Sequence, residues 1–155
     1  MVFSDNNTQL GFTTIIFCIG LLLFSSKLYA IDSINDIDGK LFIVSDKTPS
    51  SFILISPDAN QNEIVAARHL SSYIKKISGA EIPIKRKRDQ PSQNVCISIG
   101  KTDVFERSKD YEKWVKLQDD AFLVQCIPEK RLLFLAGKKP LGTLYAVHYL
   151  LENEF

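Results

Sequence analysis

The stretch NQNEIVAARHLSSYIKKISG, from Asn60 to Gly79, constrains the fold more than any other part of the chain. Ile64, Ala67, Leu70, Ile74 and Ile77 recur at spacings of three and four, which places them on one face of an α-helix. Lys75 and Lys76 suit the negative end of the helix dipole, and Gly79 stands where a left-handed cap is needed. A helix with one apolar stripe has to bury it, and the flanking sequence supplies a sheet. KLFIVS and SFILIS read as short strands separated by DKTPS, a turn by composition. EIPIKRK reads as an edge strand, because Pro83 cannot donate a ladder hydrogen bond. NVCISIG is a buried strand running into KTDVFERS, a short helix or turn. DAFLVQCI and RLLFLAG flank PEK as a hairpin. A last helix follows through GKKPLGTLYAVHYLLE with little polar face: Leu141, Leu144, Val147, His148 and Leu151 are expected to cover the sheet, and Tyr145, Tyr149 and Leu150 to point elsewhere on the same cylinder. The order β-β-α-β-β-(α)-β-β-α predicts an α+β fold, a sheet with helices packed on it, and not a doubly wound nucleotide fold.

A length of 155 residues favours one domain, and 45% hydrophobic with 24% charged residues is ordinary for a globular protein. A net charge of +1 gives no general attraction to nucleic acid or to an anionic membrane. The amino terminus has a different character. FTTIIFCIGLLLF, Phe12 to Phe24, is an uncharged apolar run followed by SSKLYA, the form of a secretory signal cleaved after Ala30. Asp5 and the absence of Lys or Arg before the run depart from the usual pattern, as does Leu28 near the cut. Residues 1–30 are therefore expected to be an export signal, with residues 31–155 as the secreted or periplasmic domain. An uncleaved signal anchoring the chain in the membrane is the alternative, although a spanning helix needs about 20 apolar residues. Cys18 leaves with the signal. Cys96 and Cys126 remain in strand-like runs, where a disulfide and two buried thiols are equally compatible with the sequence.

Two stretches approach a phosphate-binding loop and fall short. SIGKT follows a strand, but the glycine required five residues before Gly100 is replaced by Val95. GKKPLGT has Gly137 and Gly142 at the required spacing, yet Thr143 stands where the lysine should be and Pro140 removes an amide donor. Both read as tight strand-to-helix connections. The basic run KRKRD, Lys85 to Asp89, could meet phosphates or an acidic glycan, but charge on an edge strand also discourages edge-to-edge pairing. No aromatic residues interleave it, as single-stranded nucleic acid would want. His69 and His148 sit on separate helices with no second ligand at zinc-like spacing, and read as packed or surface side chains. Asp119 and Asp120 at a strand entrance and Glu63 in a helical first turn have ordinary structural reasons. The residues assemble no catalytic constellation, no metal centre and no cofactor site. Tyr111 and Trp114, in KDYEKWVKLQ, are the candidate glycan contacts, as aromatic residues outside the predicted elements; packing over the sheet is the competing role for them.

Read together, NEIVAARHLSSYIKKISGAEIPI, VCISIGKTD, DAFLVQ and LLFLAGKKPLGTLYAVHYLLE resemble, in that order, the N-terminal domain of glycoside hydrolase family 67 alpha-glucuronidases. They are similar also to the related domain that precedes the barrel in beta-hexosaminidase-like enzymes. The likeness covers about residues 40–153, and GTLYAVHYLLE behind a strand ending in Gly is its most specific part. It implies a mixed sheet carrying helices, similar in shape to the zincins but without a metal centre. It also implies a (β/α)8 barrel as partner, holding the catalytic carboxylates, and a role in degrading polysaccharide of the xylan type. The final helix closes with Glu152, Glu154 and the terminal carboxylate at its negative end, an unfavourable arrangement. The chain is accordingly expected to be the front of a longer, exported hydrolase and to be noncatalytic by itself. A self-standing secreted carbohydrate-binding or protein-interaction module is the alternative, and a small unrelated secreted enzyme a third reading. If the export segment is removed, mass spectrometry of the secreted or periplasmic product will show Ile31 as its first residue. A membrane-retained product beginning at Met1 would contradict this.

Overall fold

The computed structural model describes residues 40–87 and 94–153. The expected export segment and its cleavage site, Cys18, and Arg88 and Asp89 of the basic run lie outside the described residues. In chain order the elements are β1 (Val44–Ser45), β2 (Thr48–Pro49), β3 (Ser51–Ile55), α1 (Gln61–Ser78), β4 (Ile84–Lys85), β5 (Val95–Ile99), α2 (Asp103–Glu106), α3 (Lys109–Val115), β6 (Phe122–Ile127), β7 (Leu132–Gly137) and α4 (Pro140–Asn153). Strands β4-β3-β5-β7-β6 form one sheet in that order. β4, β3, β5 and β7 run parallel, and β6 pairs antiparallel with β7. The fold is α+β with a mixed sheet. β1 and β2 make a separate two-stranded hairpin.

Every residue of β3, β5 and β7 is buried, because both faces of the sheet are covered. Ile53, Ile55, Ile97, Ile99, Leu133 and Leu135 point to one face, where α1 and α4 bring Ala66, Ala67, Leu70, Ile74, Ala146, Val147 and Leu150. Phe52, Leu54, Cys96, Leu132, Phe134 and Ala136 point to the other, beneath Phe105 of α2 and Trp114 of α3. Each fully buried large apolar side chain contributes about 1.5–3 kcal/mol against exposure. This two-sided burial also settles the cysteines. Cys96 belongs to the α2–α3 face and Cys126 packs on the α1–α4 face, so the sheet lies between the two thiols and no disulfide joins them.

Helix α1 begins with a complete capping box. Asn60 Oδ1 accepts from Glu63 N at 3.1 Å while Glu63 Oε2 accepts from Asn60 N at 2.9 Å. It ends at Gly79, left-handed at φ 77°, as its position in the sequence predicts. Ile77 departs from the predicted stripe and is 51% exposed. Eighteen helical residues span about 27 Å, whereas a five-residue strand spans about 17 Å, so the last turn outruns the sheet.

Three further expectations need correction. KLFIVS contributes only Val44–Ser45 to a hairpin, and Thr48–Pro49 from the expected turn forms its other strand. Asp46 and Lys47 both have positive φ, the geometry of a two-residue type I′ loop. KDYEKWV is helix α3 and not a loop, with Lys113 Nζ 2.9 Å from Asp110 Oδ1 across one turn. In α4, Leu150 is 1% exposed and in the core, while Leu141, expected to cover the sheet, is 47% exposed. A helix apolar around most of its circumference does not reveal from periodicity which side faces inward.

The turn into α4 depends on backbone contact. A Cβ at Gly137 would collide with the backbone of Gly142 and Thr143. Gly137 N donates to Thr143 Oγ1 at 3.0 Å across the same junction. Gly137→Ala is therefore expected to destabilise the domain by about 3 kcal/mol in denaturant unfolding, since backbone cannot yield as a side chain would. Gly79→Ala meets no atom within 4 Å and carries only the left-handed penalty, about 1–2 kcal/mol. Equal losses at the two sites would refute the close-contact account.

Candidate functional site

In open sheets with parallel strands, ligands usually enter the crevice at the carboxyl ends where strand order reverses. Here that position lies between β3 and β5, because β4 and β5 flank β3 on opposite sides. It is closed. Glu63, 8% exposed, reaches across from α1, and its Oε1 accepts from Lys101 N at 3.4 Å. Gly100, left-handed at φ 73°, makes room for that carboxylate, which a Cβ there would strike. Thr102 caps α2 by accepting from Phe105 N, and its Oγ1 lies 2.6 Å from Ser98 Oγ. SIGKT is thus a strand-to-helix connection with the Glu63 carboxylate against its turn, the wrong sign of charge for a phosphate. GKKPLGT is the close Gly137–Gly142 junction described above. The cations nearby are paired at the surface. A hydrogen bond to Glu106, with Tyr111 alongside, raises the Lys101 ammonium above its ordinary value. A hydrogen bond to Asp119, assisted by Asp120, does the same for Lys139.

Tyr111 and Trp114 stack with ring centroids 5.3 Å apart, and both meet Phe105 edge-on. Trp114 is 8% exposed, its Nε1 has no hydrogen-bond partner, and Lys138 Nζ lies 4.6 Å above its ring. Among the two candidate glycan contacts, half-buried Tyr111 is the one with surface to offer.

Helices α1 and α4 pack side by side, and the fold brings together two histidines that the sequence treats separately. The His69 and His148 rings stand 5.8 Å apart in an edge-to-face arrangement. They line an open cleft of about 600 Å³ with Ser72, Tyr73, Lys76, Leu151 and Glu152. Sequence spacing could not reveal this pair, since each histidine sits on a different helix. Among the described residues no group of three or more His, Cys, Asp or Glu side chains is arranged to hold a metal ion.

The exposed side of α4 carries an apolar stripe. Leu141, Tyr145 and Tyr149 recur every four residues and are 47%, 51% and 49% exposed. Tyr149 meets Phe122 of β6 at 5.7 Å between ring centroids, so the stripe continues onto the sheet edge. The two sheet edges differ in chemistry. Around β4 stand Pro83, Lys85 and Arg86, which discourage strand addition, whereas FLVQCI of β6 carries no charge and is half-buried along its whole length.

No curated protein matches the chain. Residues 44–150 match the family model of the glycosyl hydrolase family 67 N-terminus, a span running from β1 into the last turns of α4. The mixed sheet, the Gly137 junction and the helix behind it all lie within that span, and the chain belongs to the glycosyl hydrolase family 67 N-terminus family.

Proposed function

We propose that this chain is the noncatalytic amino-terminal accessory domain of an exported, alpha-glucuronidase-like hydrolase acting on polysaccharide of the xylan type. In this reading the α4–β6 face rests against a (β/α)8 catalytic barrel that lies outside these residues. One observation carries it: a helix whose inner side is core presents a second apolar stripe, Leu141–Tyr145–Tyr149, continuous with an uncharged sheet edge. Contiguous apolar surface of that kind marks a contact face. The family to which the chain belongs supplies the partner's class. The closed crevice at β3 and β5 supports the noncatalytic part, because the usual ligand position of such sheets is occupied by Glu63.

Two measurements test the proposal. The purified chain is expected to hydrolyse no glycoside, including substrates bearing glucuronic acid; turnover abolished by a single carboxylate substitution would overturn the noncatalytic role. Tyr145→Lys with Tyr149→Glu is expected to raise the solubility of the chain and to cost about 1 kcal/mol, the worth of the Tyr149–Phe122 ring contact. Leu150→Lys, one residue further along, is expected to unfold it by placing an unpaired charge in the core. If the double tyrosine variant unfolds as Leu150→Lys does, the stripe belongs to the domain's own core and the docking face is lost.

A further inference from the structure

The α1–α4 cleft has a chemistry that neither docking nor core packing uses. We propose that His69 and His148 form a bridging site for a divalent transition metal of the zinc, nickel or copper type. Two imidazoles sharing one ion at metal–nitrogen distances of about 2.0–2.1 Å hold their ring centroids about 5–6 Å apart, depending on the angle at the metal. The observed separation is 5.8 Å. The present edge-to-face arrangement needs one ring to turn about χ2, a broad torsion with low barriers, for both nitrogens to aim at one point.

The backbones that carry the two rings are held in place. Ala66, Ala67 and Leu70 surround His69 in α1, Ala146, Val147 and Leu150 surround His148 in α4, and all six are fully buried in one core. The ligands therefore stand on rigid elements, which favours binding without a large ordering cost. His69 is exposed and His148 half-buried, so ion and water reach the cleft directly. Imidazole nitrogen selects zinc, nickel and copper over magnesium and calcium. Glu152 lies one turn beyond His148 on the same wall and balances the charge of the ion, while water completes the coordination. Lys76 on the opposite wall repels it. The site is a clamp between the first and last long helices of the domain, and an ion bound there favours the folded state by mass action.

Isothermal titration of the full chain, without a polyhistidine tag, against zinc, nickel and copper chlorides tests this. Saturable one-to-one binding is expected, with affinity reduced at least about tenfold by either His69→Ala or His148→Gln, since even outer-sphere changes cost that much. At a metal concentration one hundred times Kd, the folding equilibrium should move about a hundredfold toward the native state, and not at all in the double histidine variant. Lys76→Gln should tighten binding, and Cys126→Ser should leave it unchanged. Circular dichroism of each variant establishes that it is folded. Absence of saturable binding by all three ions, or equal affinity in the folded double histidine variant, would overturn the proposal.

Discussion

Because β3, β5 and β7 bury both of their faces, this chain has to send helices to both sides of one sheet. The connections obey that demand. The crossover from β3 through α1 to β4 covers one face, the α2–α3 excursion after β5 covers the other, and α4 returns to the first. A short chain can do this only with compact junctions. Asn60 and Glu63 cap each other at the entry to α1, and Gly137 lies against Gly142 at the entry to α4. The second junction has no room for a Cβ at Gly137, which ties the local chemistry to the global layering.

That economy has a consequence for function. The carboxyl end of the parallel strands, where such sheets most readily receive a ligand, is filled by a carboxylate that the capping box already holds in place. On the outside of the helical layer the apolar stripe of α4 and the α1–α4 cleft occupy neighbouring parts of one helix surface, with Tyr149 meeting Phe122 of β6 and His148 meeting His69 of α1. One helix thus carries core residues, an exposed apolar stripe and one wall of a polar cleft. Such triple use explains why its sequence is apolar around most of its circumference.

The two sheet edges reinforce the directionality. The β4 edge is guarded by proline and by positive charge, a common defence against pairing with another strand. The β6 edge has neither and carries Phe122 beneath Tyr149. Among the described residues the two edges thus differ in how readily another strand could pair with them.

Much of this fold was legible in local pattern. The 3-and-4 spacing from Ile64 to Ile74, the Gly79 cap, the Pro83 edge strand and the hairpin around PEK each depend on interactions within a few residues, and each is present. Sequence order alone also showed that the two phosphate-loop-like stretches lack a defining residue. What it could not decide was every relation between segments distant along the chain. The insertion of β5 between β3 and β7 puts Cys96 and Cys126 on opposite faces. Helix length against strand length leaves Ile77 in solvent, and rotation of α4 on the sheet buries Leu150 while exposing Leu141. The meeting of His69 with His148 needs both helices docked on one face. Periodicity reports that a segment has an apolar side; only packing decides which neighbour that side meets, because burial is a property of two surfaces and the sequence of one segment contains only one of them.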